Sequence, residues 1–90
     1  MSQSTPIFQT QIQVFLMELK IKVGERISQL RNAKNLSQQK FSYEADMERT
    51  YLSHIEKGRK NISLSTLQKI LTALEVSPKE FFNAKEFDKA

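Results

Sequence analysis

The sequence predicts a small all-α protein whose single domain is built from five helices. Its 90 residues include only two Gly and two Pro, and 39% are hydrophobic and 27% charged, a balance typical of a helix-forming globular chain. In several segments the apolar residues recur at three- and four-residue steps, which is the spacing of one helix face. A chain this short supports one small core. We predict an N-terminal extension over residues 1–20, partly disordered, a helical domain over residues 21–84 and a C-terminal tail over residues 85–90.

The N-terminal extension leaves two interpretations open. Thr5 and Pro6 suit the start of a helix, and helical steps separate the apolar residues that follow: Phe8, Ile12, Phe15, Leu16 and Leu19. Between residues 13 and 23, however, apolar residues also alternate in the manner of a strand. Met17 is in addition a candidate start codon, because the recognisable domain begins just after it.

The first domain helix is predicted over residues 23–34. Its apolar face consists of Val23, Ile27 and Leu30, with charged and amide side chains elsewhere on the helix. Asn35 suits a left-handed C-cap that ends the helix.

The second and third helices are predicted over residues 38–44 and 49–57. Ser37 is a suitable N-cap for the second helix, and Asp46 tolerates the left-handed geometry of the turn that follows. Gly58 ends the third helix.

The fourth and fifth helices are each preceded by a serine. Ser63 can cap the fourth, with Ile62 and Leu67 as a hydrophobic staple across its start. The predicted apolar face of this helix comprises Leu64, Leu67, Ile70, Leu71 and Leu74. The sequence Ser77-Pro-Lys-Glu80 is a capping box with Pro at the first helical position, and it predicts a short fifth helix carrying Phe81 and Phe82.

Charge and composition narrow the classes of function. The formal net charge is +4, and the basic residues Arg49, Lys57, Arg59 and Lys60 lie in the twelve residues after Glu48, whose one acid is Glu56. This cluster is compatible with a polyanionic partner. With one His and no Cys, the sequence offers no metal site, disulfide or cysteine nucleophile, and we expect no metal and no cofactor.

The sequence also argues against enzymes and membrane proteins. Neither Ser53 nor Ser63 has a partner that would make it a nucleophile, so we expect no catalytic residue. No apolar run approaches the roughly 18 residues needed for a membrane span, and the N-terminus lacks the pattern of a signal peptide. We expect a cytoplasmic protein that does not bind membranes.

The segment from Ser37 to Gly58 has the organisation of a helix-turn-helix. Two short helices are joined by a tight turn, the second begins with polar residues, and a basic loop follows it. On the third helix, helical spacing places Arg49 with Ser53, and Thr50 with His54, on an outward surface. The major groove of DNA admits one such helix, whose first side chains reach the base edges. The predicted partner is double-stranded DNA.

The motif Leu36-Ser-Gln-Gln-Lys-Phe41, followed by Arg49-Thr-Tyr-Leu-Ser53, Ile55-Glu-Lys-Gly-Arg59 and Asn61, resembles the signature of the Xre, or lambda-repressor-like, helix-turn-helix family. The resemblance covers residues 23–82, about two-thirds of the chain. Within that family the sequence is most similar to the controller proteins of restriction-modification systems, in the string Arg49-Thr-Tyr51, in Arg59-Lys-Asn61 and in length. Phage repressors and antitoxins are close alternatives.

The resemblance implies a role for individual residues. Arg49, Thr50 and His54 match base-reading positions, and we add Ser53 because it shares their surface. Gln38 matches a position that contacts a phosphate and braces the recognition helix. The other residues assigned to the DNA backbone are Tyr51, Lys57, Arg59, Lys60, Asn61 and Ser63.

The resemblance also implies a structural ion pair between Arg31 and Glu56, tying the first helix to the end of the third. The sequence departs from the family pattern twice. Asp46 replaces the usual Gly of the turn, and Glu48 replaces the usual Ser or Thr cap of the recognition helix. The family motif is still recognisable, but Glu48 adds negative charge close to the phosphates of DNA.

These features predict a sequence-specific, homodimeric transcriptional regulator that binds a pseudo-palindromic operator. We expect dimerisation through the fourth and fifth helices, at Leu74, Val76, Phe81 and Phe82. Two alternatives are that these phenylalanines belong to the monomer core and that the N-terminal apolar stripe forms the interface. RNA polymerase is a further candidate partner. The alternative function is that of a protein-interaction adaptor or antitoxin with the same fold.

Overall fold

The computed structural model describes the backbone of residues 4–88 and the side chains of residues 18–88. Within this range the fold is all-helical, as predicted. The elements are α1 (Ser4–Ala33), α2 (Gln38–Glu44), α3 (Arg49–Glu56), α4 (Leu64–Leu74) and α5 (Pro78–Phe82), followed by a 3-10 turn (Lys85–Phe87).

Helix α1 joins the predicted extension and the predicted first domain helix into one element of 30 residues. The strand interpretation of residues 13–23 is therefore wrong. Gly24 does not interrupt the helix, since its φ is not positive. An ion pair between Glu18 and Lys22, spaced by four residues and 3.6 Å apart, bridges the expected boundary at residue 20. The predicted disorder at the N-terminus, the apolar side chains before residue 18 and the last two residues of the tail lie outside the described residues.

Serine caps precede α2, α4 and α5, and left-handed residues follow α1 and α2, as predicted. The hydroxyls of Ser37, Ser63 and Ser77 accept hydrogen bonds from the backbone N–H three residues on, at 3.0–3.1 Å. Asn35 and Asp46 adopt φ values of 59° and 56°. The sequence did not indicate a third left-handed residue, Glu75, which ends α4 with a φ of 60°.

One core lies among the five helices. Its buried residues are Ile27, Phe41, Ala45, Leu52, Ile55, Ile70, Leu71, Leu74 and Phe81. Leu64 was expected on the buried face of α4 but is 85% exposed. It lies at the N-terminal end of the helix, one turn before Leu67, which does pack against the core.

The core also corrects the predicted dimer interface. Leu74 and Phe81 have no exposed surface in the monomer, so their assignment to an interface with a second chain is wrong. Both side chains are enclosed by the other helices of their own chain. Val76 is half-buried and Phe82 is 40% exposed, so these two residues keep surface that a partner could cover.

Helix α5 is held in place by an arginine and by aromatic packing. Arg26 of α1 donates from Nε to the carbonyl of Phe81 at 2.7 Å and from Nη2 to the carbonyl of Glu80 at 2.9 Å. The ring of Phe87, from the predicted tail, packs against Phe82 at a centroid distance of 5.0 Å. Residues 85–87 therefore pack on the domain. No helix in the described part of the chain is long and apolar enough to span a membrane.

Candidate nucleic-acid interface

The α2–turn–α3 unit fixes one side of α3 against the core and leaves the other side free. Phe41 of α2 and Leu52 and Ile55 of α3 are buried together. The four predicted base-reading residues occupy four of the other six positions of α3: Arg49 and Thr50, which are exposed, and Ser53 and His54, which are half-buried. Across residues 18–88, the side chains of these four residues make no hydrogen bond and no ion pair. Their polar groups are therefore available to a ligand.

Glu56, at the end of α3, connects that helix to α1 and α2. Its carboxylate accepts hydrogen bonds from Arg31 Nε at 2.7 Å and from Arg31 Nη2 at 2.9 Å. Gln38 Nε2 donates to the same carboxylate at 3.1 Å. The side chains of Arg31 and Glu56 are only 10% and 5% exposed. This network contains the ion pair implied by the resemblance, and it supplies the bracing contact expected of Gln38.

The guanidinium of Arg31 is held in its charged form. Its hydrogen bonds to Glu56 and the negative charge of that residue raise the pKa of Arg31, while burial lowers it, and the net shift is upward. A further hydrogen bond at 2.6 Å, from Nη1 to the carbonyl of Leu36, fixes the segment between α1 and α2. Because a raised pKa favours the protonated state, the stability from this contact is present below the unfolded pKa. It would be lost only as the pH rises through the folded value, far above neutrality.

Two glycines allow α1 to approach the end of α3 closely. A Cβ on Gly24 would collide with the carbonyl oxygen of Ile55 and lie 2.8 Å from that of Glu56. Gly58 has a φ of 74°, and a Cβ there would lie 2.8 Å from Cγ1 of Ile21. Helix α1 thus supports both α3 and the loop that follows it. Sequence reasoning missed Gly24, although a glycine inside an amphipathic helix is a signal of close packing.

The loop between α3 and α4 exposes a row of polar and basic side chains. Those assigned to the DNA backbone, Lys57, Arg59, Lys60 and Asn61, are all exposed. Ser63 is also exposed, but its hydroxyl already caps α4 and is hydrogen-bonded to the hydroxyls of Ser65 and Thr66 at 2.9 and 3.1 Å. Tyr51 is half-buried and packs against the core.

Positive charges outnumber negative charges in this part of the sequence. Between residues 49 and 63 the sequence contains four Lys or Arg residues and one acid, Glu56. Because Glu56 is buried and paired with Arg31, its charge does not offset the exposed cations. Apart from the exposed carboxylate of Glu48 at the N-cap of α3, the surface formed by the start of α3 and the following loop is therefore electropositive, which suits a phosphate backbone.

The comparisons with known proteins agree with this geometry. A model of the helix-turn-helix family matches residues 27–81, more than half of the chain. The chain belongs to the helix-turn-helix family. Control protein C.BamHI of Bacillus amyloliquefaciens is 41% identical over 66 residues, which cover 72% of this chain and 82% of that protein. Control protein C.MunI of a Mycoplasma species is 40% identical over 67 residues, which cover 73% and 90%.

A solved structure of a third controller protein is similar along most of the chain. It contains the restriction-modification controller protein C.Esp1396I as a tetramer in complex with its natural 35 base-pair operator. Its TM-score is 0.73 at 36% identity, with 79% of this chain and 96% of that chain covered. The predicted similarity to restriction-modification controller proteins is confirmed.

Proposed function

We propose that this protein is a sequence-specific, double-stranded-DNA-binding transcriptional regulator of the controller type. It binds a pseudo-palindromic operator as a homodimer. The observation that carries the proposal is the charge of residues 49–63: the exposed cations face solvent, and the one acid is sequestered by Arg31. The operator complex of C.Esp1396I supports a multimeric, DNA-bound state.

In this proposal α3 lies in the major groove with its first turn towards the bases. Arg49 reads a guanine through N7 and O6, and Thr50 contacts a thymine methyl group or a phosphate. Ser53 and His54 reach base edges one turn later. The residues that contact the DNA backbone are Gln38, Tyr51, Ser63 and the loop residues Lys57, Arg59, Lys60 and Asn61. A dimer places two such helices one helical turn apart, which doubles the number of base contacts.

The decisive experiment is a selection from a random DNA library on the purified protein, repeated at two salt concentrations. We expect enrichment of a two-fold symmetric site whose half-sites lie about one helical turn apart. Arg49→Ala should flatten the preference at one position of each half-site, at a cost of about 1–3 kcal/mol. Lys60→Ala should weaken binding to all sequences and make the dependence of affinity on salt shallower.

Lys79→Ala is the matched control, because Lys79 is exposed on α5 and belongs to no assigned contact. It removes one positive charge and should change neither the motif nor the salt dependence appreciably. If the library returned only sequence-blind binding, or none, the alternative of an adaptor or antitoxin would replace this proposal. An unchanged motif in Arg49→Ala would show that another surface reads the DNA.

Three finer points belong to the same proposal. The regulator acts in the cytoplasm, where its DNA target is accessible. It binds DNA and catalyses no reaction. It contacts RNA polymerase when bound next to a promoter, and this contact would be detected as activated transcription in a purified system.

A further inference from the structure

Among the N-caps of helices α2 to α5, Glu48 is the one whose side chain does not cap its helix. It occupies the N-cap of α3 with extended backbone angles, φ −73° and ψ 145°, yet makes no capping hydrogen bond. The equivalent positions of α2, α4 and α5 hold serines that all cap their helices. Glu48 is exposed, and its carboxylate has no ion pair or hydrogen bond with any described residue.

In the proposed complex the carboxylate of Glu48 lies close to DNA. It directly precedes Arg49 and Thr50, the first residues of the outward face of α3. Next to phosphates a carboxylate is repelled, and in the groove it loses water, so it weakens binding unless it meets a hydrogen-bond donor. The major groove offers such a donor in the exocyclic amino groups of cytosine and adenine, whereas guanine and thymine present acceptor oxygens. In adenine the amino group lies beside the N7 acceptor, which repels a carboxylate, so cytosine is the better partner.

We infer that Glu48 is a specificity-determining residue that accepts a hydrogen bond from the N4 amino group of a cytosine. This inference rests on the proposed function. Glu48 and Arg49 together supply an acceptor and a set of donors, which match the amino group of cytosine and the N7 and O6 acceptors of guanine. The carboxylate favours cytosine by attraction and disfavours guanine and thymine by repulsion, so it contributes specificity more than affinity.

The test compares binding selections on the wild-type protein, Glu48→Ser and Glu25→Gln. Serine restores the cap found on the other three helices, so the first variant should fold at least as well as the wild type. Glu25 is exposed on α1, and its substitution removes the same charge from a surface assigned no contact. Circular dichroism and a melting curve establish that all three proteins are folded.

The wild type should enrich cytosine about tenfold over guanine and thymine at one position of each half-site, and enrichment of adenine there instead would overturn the assignment to cytosine. In Glu48→Ser that position alone should lose its preference, while binding to unrelated DNA becomes tighter. Glu25→Gln should give the wild-type motif. A uniform increase in affinity of Glu48→Ser, with every preference retained, would overturn the inference and leave the proposed function standing. The absence of any motif in the wild type would overturn the proposed function and this inference with it.

Discussion

The carboxylate of Glu56 is where three helices are joined by hydrogen bonds. It lies at the end of the reading helix α3, it is almost fully buried, and it accepts from Arg31 of α1 and Gln38 of α2. A buried charge pair of this kind contributes little net stability compared with apolar packing, but removing one partner leaves the other charge unpaired in a poorly solvated site. The network therefore fixes the direction in which α3 is presented.

Glu56→Gln should lower the free energy of unfolding by about 3 kcal/mol, because the guanidinium of Arg31 then stays buried without a counter-charge. Urea denaturation measures the change. The matched control is Asp46→Asn, which removes the charge of an exposed ion pair with Lys69, 3.8 Å long, and should cost less than about 1 kcal/mol. Equal effects of the two substitutions would contradict a structural role for the buried pair.

At the scale of the elements, the contact between α1 and the end of α3 determines the position of α3. The backbones meet at Gly24, where the carbonyls of Ile55 and Glu56 occupy the space that any side chain would need. The carbonyls of Ile55 and Glu56 at the end of α3 thereby lie against the flank of another helix. The same stretch of α1 supports the loop at Gly58 through Ile21.

Gly24→Ala should destabilise the protein although alanine is the better helix former. Inside a helix this exchange normally gains up to about 1 kcal/mol. Here the added methyl group forces α1 and α3 apart, and we expect a net loss of about 1–3 kcal/mol, measured by urea denaturation. Gln29→Ala, at an exposed position of the same helix, should change stability by less than about 0.5 kcal/mol. A stabilised Gly24→Ala variant would exclude the close approach.

Features that depend on neighbouring residues were predictable from the sequence. Ser37, Ser63 and Ser77 cap helices through bonds to a backbone group three residues away, and Asn35 and Asp46 adopt left-handed angles that their own side chains permit. Such features need no knowledge of the remaining chain.

Features that depend on distant residues were predicted less well. The contact of Arg26 with the carbonyl of Phe81 spans 55 positions, and no local pattern indicates it. The burial of Leu74 and the exposure of Leu64 depend on where the core ends along α4, and helical periodicity does not reveal that boundary. The extent of α1 was missed because its apolar spacing allowed two interpretations of residues 13–23. In the DNA-binding region, the sequence indicated the exposed residues of α3, but the lack of a partner for the Glu48 carboxylate depends on where the neighbouring side chains lie.

At the scale of the whole molecule, the surface left for a second copy is smaller than the sequence suggested. With Leu74 and Phe81 enclosed in the core, the predicted interface retains Val76 and Phe82. Phe82 packs edge-on against Phe81 at 4.9 Å and against Phe87 at 5.0 Å, which holds its partly exposed ring in a fixed orientation. A preorganised aromatic ring of this kind is a favourable anchor for association.

Phe82→Glu should weaken dimerisation while the monomer stays folded, because the ring is already 40% exposed. Loss of a central aromatic contact costs about 2 kcal/mol, a change in Kd of about thirtyfold, and sedimentation equilibrium measures it. Tyr43→Glu is the matched control, since Tyr43 is an 85% exposed aromatic residue on α2. Dimers of unchanged affinity in Phe82→Glu, or an equal loss in Tyr43→Glu, would move the interface elsewhere.

The side chains of α3 that we propose to read DNA make no polar contact within the described part of the molecule. The side chains of Arg49, Thr50, Ser53 and His54 make no hydrogen bond or ion pair with any described residue, whereas Arg31, Gln38 and Glu56 hold the opposite side of the helix. Recognition and architecture are therefore separable in this protein. A library randomised at the four reading positions should yield mostly folded variants, so the scaffold can be retargeted to new operators without redesigning its interior.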